Sequence, residues 1–157
     1  MKKQNFFDLN FDQLKNFLID KAEVDGSKAK MRAQQMFNAV YKKNIKSLDE
    51  LTTFGLDLRE KIKNLISLDK PKITDIQKSK DGTIKFLLEL KDKRNVETVL
   101  IPDKTQSRYT ICLSVSVGCY LSCEFCATAQ ISKNLVRNLT PGEIISQIIL
   151  CKDYIDD

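Results

Sequence analysis

The sequence predicts an α+β chain: a helical region, a small antiparallel β meander, then a strand, a cysteine-bearing loop and a closing helix. Three observations predict it. Apolar residues recur at helical spacing through residues 1–69. From residue 70 to about 102 the period changes to the alternation of half-buried strands. None of the five cysteines precedes residue 112. The expected parts are therefore 1–69, helical; 70–106, an antiparallel β extension; and 107–157, a strand, cysteine loop and helix. At 157 residues, with 42% hydrophobic and 30% charged, the chain can bury a core as one domain or two small ones.

In the first part, Phe11, Leu14, Phe17 and Leu18 follow Asn10, a helix cap. Asp25-Gly26-Ser27 reads as a loop and cap before Ala33, Met36, Phe37, Val40 and Tyr41, the apolar stripe of a second helix. Ser47 and Glu50 have the spacing of a capping box opening a short third helix, which Gly55 is expected to end. Leu58, Ile62, Leu65 and Ile66 predict a fourth helix, stopped before Pro71.

In the second part, Asp81-Gly82 is a hairpin turn signal. Ile73 and Ile76 lie on the strand before it, and Ile84, Phe86, Leu88 and Leu90 alternate on the strand after it. Lys91 to Asn95 is a polar turn. Val96 to Ile101 is the next strand, which Pro102 is expected to close. After a loop from Asp103 to Ser107, Tyr109 to Val117 reads as a buried strand. Thr140-Pro141-Gly142-Glu143 combines an N-cap, a proline at the first helical position and a capping box. Ile144, Ile145, Ile148 and Ile149 are the expected apolar stripe of the final helix.

Composition narrows the function classes. With 26 Lys and Arg against 21 Asp and Glu the net charge is +5, which permits a nucleic-acid partner without demanding one. Histidine is absent, which excludes histidine general bases and histidine-containing zinc sites. No apolar run is long enough for a transmembrane helix, and the N-terminus has no apolar stretch of the signal-peptide kind. A reducing cytoplasm is the expected compartment, so the cysteines are expected to be free, metal-bound or redox-active rather than structural disulfides.

The informative feature is Cys119-Tyr-Leu-Ser-Cys123-Glu-Phe-Cys126. Three thiols on so short a loop can wrap three corners of one compact inorganic centre. A [4Fe–4S] cluster normally takes four cysteines, so three leave one iron open to a substrate or cofactor. Gly118 permits close approach of the backbone. A four-cysteine zinc site using Cys112 or Cys151 is the second reading. Cys151, on the final helix, reads better as a small core residue.

The CxxxCxxC spacing, with an aromatic before the last cysteine and a strand before the first, resembles the radical S-adenosylmethionine enzymes. More narrowly, the chain resembles the dual-specificity RNA methyltransferases that methylate adenine C2 in 23S rRNA and tRNA. Met31-Arg-Ala-Gln-Gln-Met-Phe, Tyr41-Lys-Lys and Leu48-Asp-Glu-Leu-Thr are similar to that family's helical accessory domain. Asp81-Gly-Thr-Ile-Lys and Val96-Glu-Thr-Val-Leu-Ile-Pro are similar to its β extension. Cys112-Leu-Ser-Val-Ser-Val-Gly-Cys119 and Arg137-Asn-Leu-Thr-Pro-Gly-Glu-Ile flank the cluster loop.

The resemblance implies that residues 107–157 begin a radical S-adenosylmethionine (βα) barrel with its first βα unit. It implies that Cys119, Cys123 and Cys126 hold a [4Fe–4S] cluster whose open iron binds S-adenosylmethionine and cleaves it reductively to a radical. That radical acts on a methyl group carried by a second cysteine near the family's C-terminus, and the resulting carbon radical adds to adenine C2. Such a route suits a carbon that is not nucleophilic. Cys112 matches the cysteine that resolves the protein–RNA adduct through a transient disulfide, and Glu97 the proton acceptor. From periodicity alone Glu97 reads as a solvated strand residue. The implied partners are 23S rRNA, tRNA and an electron donor such as a flavodoxin, with no membrane. Lysine-bearing helices of residues 12–63 are candidate phosphate contacts.

The sequence departs from the family at Ala39, where an aromatic is usual, at Ser116, where Gln is usual, and in a longer loop after Cys126 in which Ser132-Lys133-Asn134-Leu135 replaces a Gly-Phe step. Only 51 residues run from Ser107 to Asp157, against roughly 250 for a complete barrel. The S-adenosylmethionine-binding segments and the methyl-carrying cysteine are not among them. The expectation is therefore little or no methyltransferase activity from this chain alone, with a truncated product or a second chain completing the barrel as the two explanations. An RNA-binding module within residues 1–102, without catalysis, is the alternative class.

Overall fold

A computed structural model describes residues 3–103, 105–106, 108–121, 123–126 and 136–156. The chain divides into two compact units, Met1–Asp69 and Lys70–Asp157.

The first unit is helical. Strand β1 (Gln4–Asn5) leads into a single 3-10 turn at Phe6–Asp8, and α1 follows at Phe11–Asp20. Asn10 caps α1 as expected, in a reciprocal box: its Oδ1 accepts the Gln13 N–H at 2.8 Å while Gln13 Oε1 accepts the Asn10 N–H at 2.9 Å. Asp25 caps α2 (Gly26–Phe37) by accepting the Ser27 N–H at 2.8 Å. The helix then widens into a π turn over Asn38–Lys42, where the Lys43 N–H reaches back five residues to the Asn38 carbonyl at 3.0 Å. Ala33, Met36 and Val40 are buried and Phe37 and Tyr41 half-buried, so the stripe survives the change in pitch.

Two expectations change here. The Ser47–Glu50 box is present, but it opens only a 3-10 turn, Leu48–Glu50. Gly55 does not end that turn. It caps the start of α3 (Leu56–Leu65), with an ordinary φ of −60°. The fourth expected helix stops one residue early, because Ile66–Ser67 leaves it as strand β2 and pairs in parallel with β1. Asn5 Nδ2 donates to the Asp69 carbonyl at 3.0 Å beside that pairing. Phe6, which the sequence reading did not assign, is fully buried, with its ring 5.4 Å from Phe37 and 5.5 Å from Tyr41. Leu14, Leu18, Ala29 and Ile62 of the same unit are likewise fully buried.

The second unit is a four-stranded antiparallel meander, β3 (Lys72–Lys78), β4 (Ile84–Glu89), β5 (Asn95–Asp103) and β6 (Arg108–Leu113), in that order. Gly82, at φ +93°, makes the expected first hairpin, and the Ser79 N–H donates to the Thr83 carbonyl at 2.8 Å. Pro102 does not close β5; it pairs with Tyr109, and the strand runs on to Asp103. The expected buried strand Tyr109–Val117 is instead two pieces. Its first part is β6, an edge strand with mostly exposed residues; the second is β7 (Ser116–Val117), which pairs antiparallel with β8 (Arg137–Asn138). Apolar composition predicts burial on both faces, whereas among the described residues β6 has a neighbour on one side only and a helix on one face only.

That helix is α4 (Pro141–Asp156), opened by the expected box between Thr140 and Glu143. The isoleucine stripe does not form its buried face. Ser146, Gln147 and Cys151 are buried, Ile144, Leu150 and Tyr154 pack against the core, and Ile148 is 44% exposed. The seam Ile144, Gln147, Cys151, Tyr154 lies over Phe86, Leu88, Val96 and Leu100. The Phe86 and Tyr154 rings meet edge-on at 5.1 Å. No helix among the described residues is long and apolar enough to cross a membrane.

Candidate functional site

The meander has one face under α4 and one face that is open among the described residues of its unit, and the strand alternation decides what each carries. Phe86, Leu88, Val96, Thr98 and Leu100 point under the helix. Glu97 and Cys112 belong to the open face. Glu97 lies opposite Leu87, and Cys112 lies opposite Val99, two residues along from Glu97. The two are thus diagonal neighbours on adjacent strands, a spacing of roughly 7–8 Å between backbones. Glu97 Oε1 is 3.0 Å from Lys85 Nζ on β4, and the Cys112 thiol is free and exposed.

From Cys112 the chain runs through Ser114 and β7 to Gly118, whose φ of +70° suits a residue without Cβ, and then to Cys119. The Leu121 N–H donates to Cys119 Sγ at 3.4 Å, and the Cys126 N–H closes a turn onto the Cys123 carbonyl at 3.1 Å. The three cysteines are half-buried. They do not converge in this structure: among the described residues no three Cys, Asp or Glu side chains lie close enough to hold a metal ion. Donor chemistry and backbone nonetheless fit a cluster. Cys123 and Cys126 share one turn, and the Cys119 sulfur already accepts a backbone N–H. The substituted loop segment Ser132 to Leu135 lies outside the described residues.

Cys151 is no partner to these thiols. It sits in the apolar core, where burial pushes its thiol up to about 11. The zinc reading therefore loses one of its two candidate fourth ligands.

Two elements that hold the loop were not assigned from sequence. At its exit, Arg137 makes a fork onto Glu143, two bonds of 2.8 Å each, and a third bond of 2.8 Å to Asp92 in the β4–β5 turn. The guanidinium holds the Glu143 and Asp92 carboxyls below their ordinary range, and the two carboxylates raise Arg137 further. At the entry, the fully buried Gln147 bonds the backbone of Ser114. A glutamine four residues after Glu143, inside an otherwise apolar seam, was the available signal.

Comparison with known proteins identifies the family. Residues 4–68 match the family described as ribosomal RNA large subunit methyltransferase N-terminal domain. A crystal structure of a radical SAM methyltransferase from Sphaerobacter thermophilus superposes with a TM-score of 0.81 at 29% identity, over 98% of this chain and 42% of that one. Fold and sequence thus place the chain's likeness with part of a radical S-adenosylmethionine methyltransferase. The dual-specificity RNA methyltransferase RlmN of Campylobacter fetus is 40% identical over 95% of this chain and 42% of its own length. A probable RlmN of Staphylococcus aureus is 37% identical over 98% of this chain and 40% of its own. The chain belongs to the RlmN family, matching its N-terminal portion, and spans about two fifths of the length of these relatives.

Proposed function

We propose that this chain is the accessory and cluster-loop portion of an RNA methyltransferase that methylates adenine C2 in 23S rRNA and tRNA. The observation that carries the reading is the placement of Glu97 and Cys112 on one open sheet face, with Cys112 seven residues ahead of the cysteine loop. In this reading Ser116–Val117 and α4 begin the family's barrel.

Cys119, Cys123 and Cys126 would hold the [4Fe–4S] cluster, which when bound supplies one-electron reductive cleavage of S-adenosylmethionine. The chain's own residues do the rest of what can be assigned to it. Gly118 lets the backbone approach the sulfurs. Glu97, oriented by Lys85, is the proton acceptor for the hydrogen leaving adenine C2. The exposed Cys112 thiol is available to release the product: after losing its proton it would form a disulfide with the methyl-carrying cysteine as that cysteine's sulfur–carbon bond to the product breaks, the electron pair leaving on the carbon, which then takes a proton. Exposed lysines of the first unit supply phosphate contacts. A reductant such as a flavodoxin and a further polypeptide segment completing the barrel are the required partners.

The test is a chimera in which this chain replaces the matching portion of the Campylobacter fetus relative. Adenine C2 methylation of 23S rRNA and tRNA is expected, and Cys119→Ala, Cys123→Ala, Cys126→Ala, Cys112→Ala and Glu97→Gln should each reduce it strongly. A chimera that folds and carries iron but methylates no adenine C2 overturns the reading.

A further inference from the structure

Gln147 is the best-connected buried polar side chain of the second unit. It lies on α4, is 0% exposed, and makes four hydrogen bonds. Its Oε1 accepts the Thr98 hydroxyl at 2.7 Å and the Ser114 N–H at 2.9 Å. Its Nε2 donates to the Ser114 carbonyl at 2.9 Å and to the Glu143 carbonyl at 3.2 Å. Every donor and acceptor of the amide is engaged, as a buried amide requires.

The place it binds is specific. Strand pairing between β5 and β6 ends at Thr98 and Leu113. Ser114 is the next residue, and the Gln147 amide takes both its N–H and its carbonyl, as a neighbouring strand would. Ser114 Oγ in turn donates to the Glu97 carbonyl at 2.8 Å. Ser114 is therefore the point at which the chain leaves the sheet that carries Glu97 and Cys112 and turns toward Cys119. One helix side chain fixes that point against both strands.

We infer that Gln147 is a positioning residue: by clamping the Ser114 peptide it sets the path from the Glu97/Cys112 face to the cysteine loop, and so determines whether the three thiols can share one cluster. The last clause rests on the function proposed above; the clamping of residues 112–119 does not.

The experiment compares the wild type, Gln147→Leu and Thr98→Val. Leucine keeps apolar bulk but removes all four bonds. Valine removes only the hydroxyl bond and leaves the Ser114 contacts in place, so it is the control for lost stability in the same network. Hydrogen exchange on the metal-free chain is expected to rise about tenfold at residues 112–119 in Gln147→Leu, the factor for roughly one lost hydrogen bond. Exchange in β4 and β5 and in Thr98→Val should change far less there. After anaerobic reconstitution, Gln147→Leu should lose most of its iron and alter the visible circular dichroism, while Thr98→Val keeps both. Uniform loosening of the whole unit in Gln147→Leu, or equal local loosening in Thr98→Val, overturns the inference. Local loosening with unchanged iron and spectrum also overturns it. A wild type that binds no iron removes the proposed cluster instead, and the exchange pattern then decides the clamp by itself.

Discussion

Arg137 grips Glu143 with two parallel hydrogen bonds of 2.8 Å, joining the residue that ends the cysteine loop to the first turn of the helix that covers the sheet. Lysine has the charge but not the fork. Arg137→Lys is expected to destabilise the second unit by about 1–2 kcal/mol. Urea unfolding followed by hydrogen exchange in residues 70–156 checks it, with residues 3–69 unaffected.

The same clamp makes the second unit sensitive to acid. Glu143 titrates below its ordinary 4.5 and Asp92 below its ordinary 3.8, chiefly because Arg137 hydrogen-bonds to each. A carboxyl lowered by folding stabilises the fold above its unfolded value, and that stabilisation is lost as pH falls through the lowered value. Stability of the second unit should therefore decline below about pH 4.5, and Glu143→Gln should flatten that decline while lowering stability at neutral pH. A pH series of thermal unfolding on both proteins measures it.

Which face of α4 is buried can be read from two truncations. Phe86→Ala opens a cavity against Tyr154 and should cost about 3–5 kcal/mol. Ile148→Ala, on the exposed side, should cost less than about 1 kcal/mol. Denaturant midpoints compared at constant slope give both values.

Thiol alkylation resolved by peptide mass spectrometry separates the cysteines. Cys112 is exposed and should react in the folded metal-free chain. Cys151 is 1% exposed, with its thiol held protonated by burial, and should react only after unfolding.

The sequence made the local elements legible wherever a residue's own chemistry decides the backbone. Asn10, Asp25, Ser47 with Glu50, and Thr140 with Glu143 all cap where their side chains predict, and Gly82 turns where its lack of one allows. What it left illegible depends on partners distant in the chain. The pairing of Ile66–Ser67 with Gln4–Asn5 has no local signal. The edge position of β6 follows from which strands flank it, not from Tyr109 to Leu113 themselves. The isoleucines of α4 looked like a core stripe, yet the buried seam runs through Gln147, because that amide binds Ser114. Glu97 stands out only through family resemblance, since on its own it reads as a solvated strand carboxylate. Pairing register supplies the physical link, placing it diagonal to Cys112.

The 157-residue chain assayed alone with reductant, S-adenosylmethionine and RNA is expected to give no adenine C2 methylation, because the methyl-carrying cysteine proposed for the reaction is not one of its five cysteines. Methylation by the isolated chain would remove that role.

The central claim, that Cys119, Cys123 and Cys126 form an iron–sulfur site, is tested most directly by anaerobic reconstitution with visible absorption and iron and zinc analysis, on the wild type and on Cys123→Ala. The account predicts a brown protein with about four irons per chain, lost in the variant. A colourless protein, or one that takes up zinc in preference to iron, would contradict it.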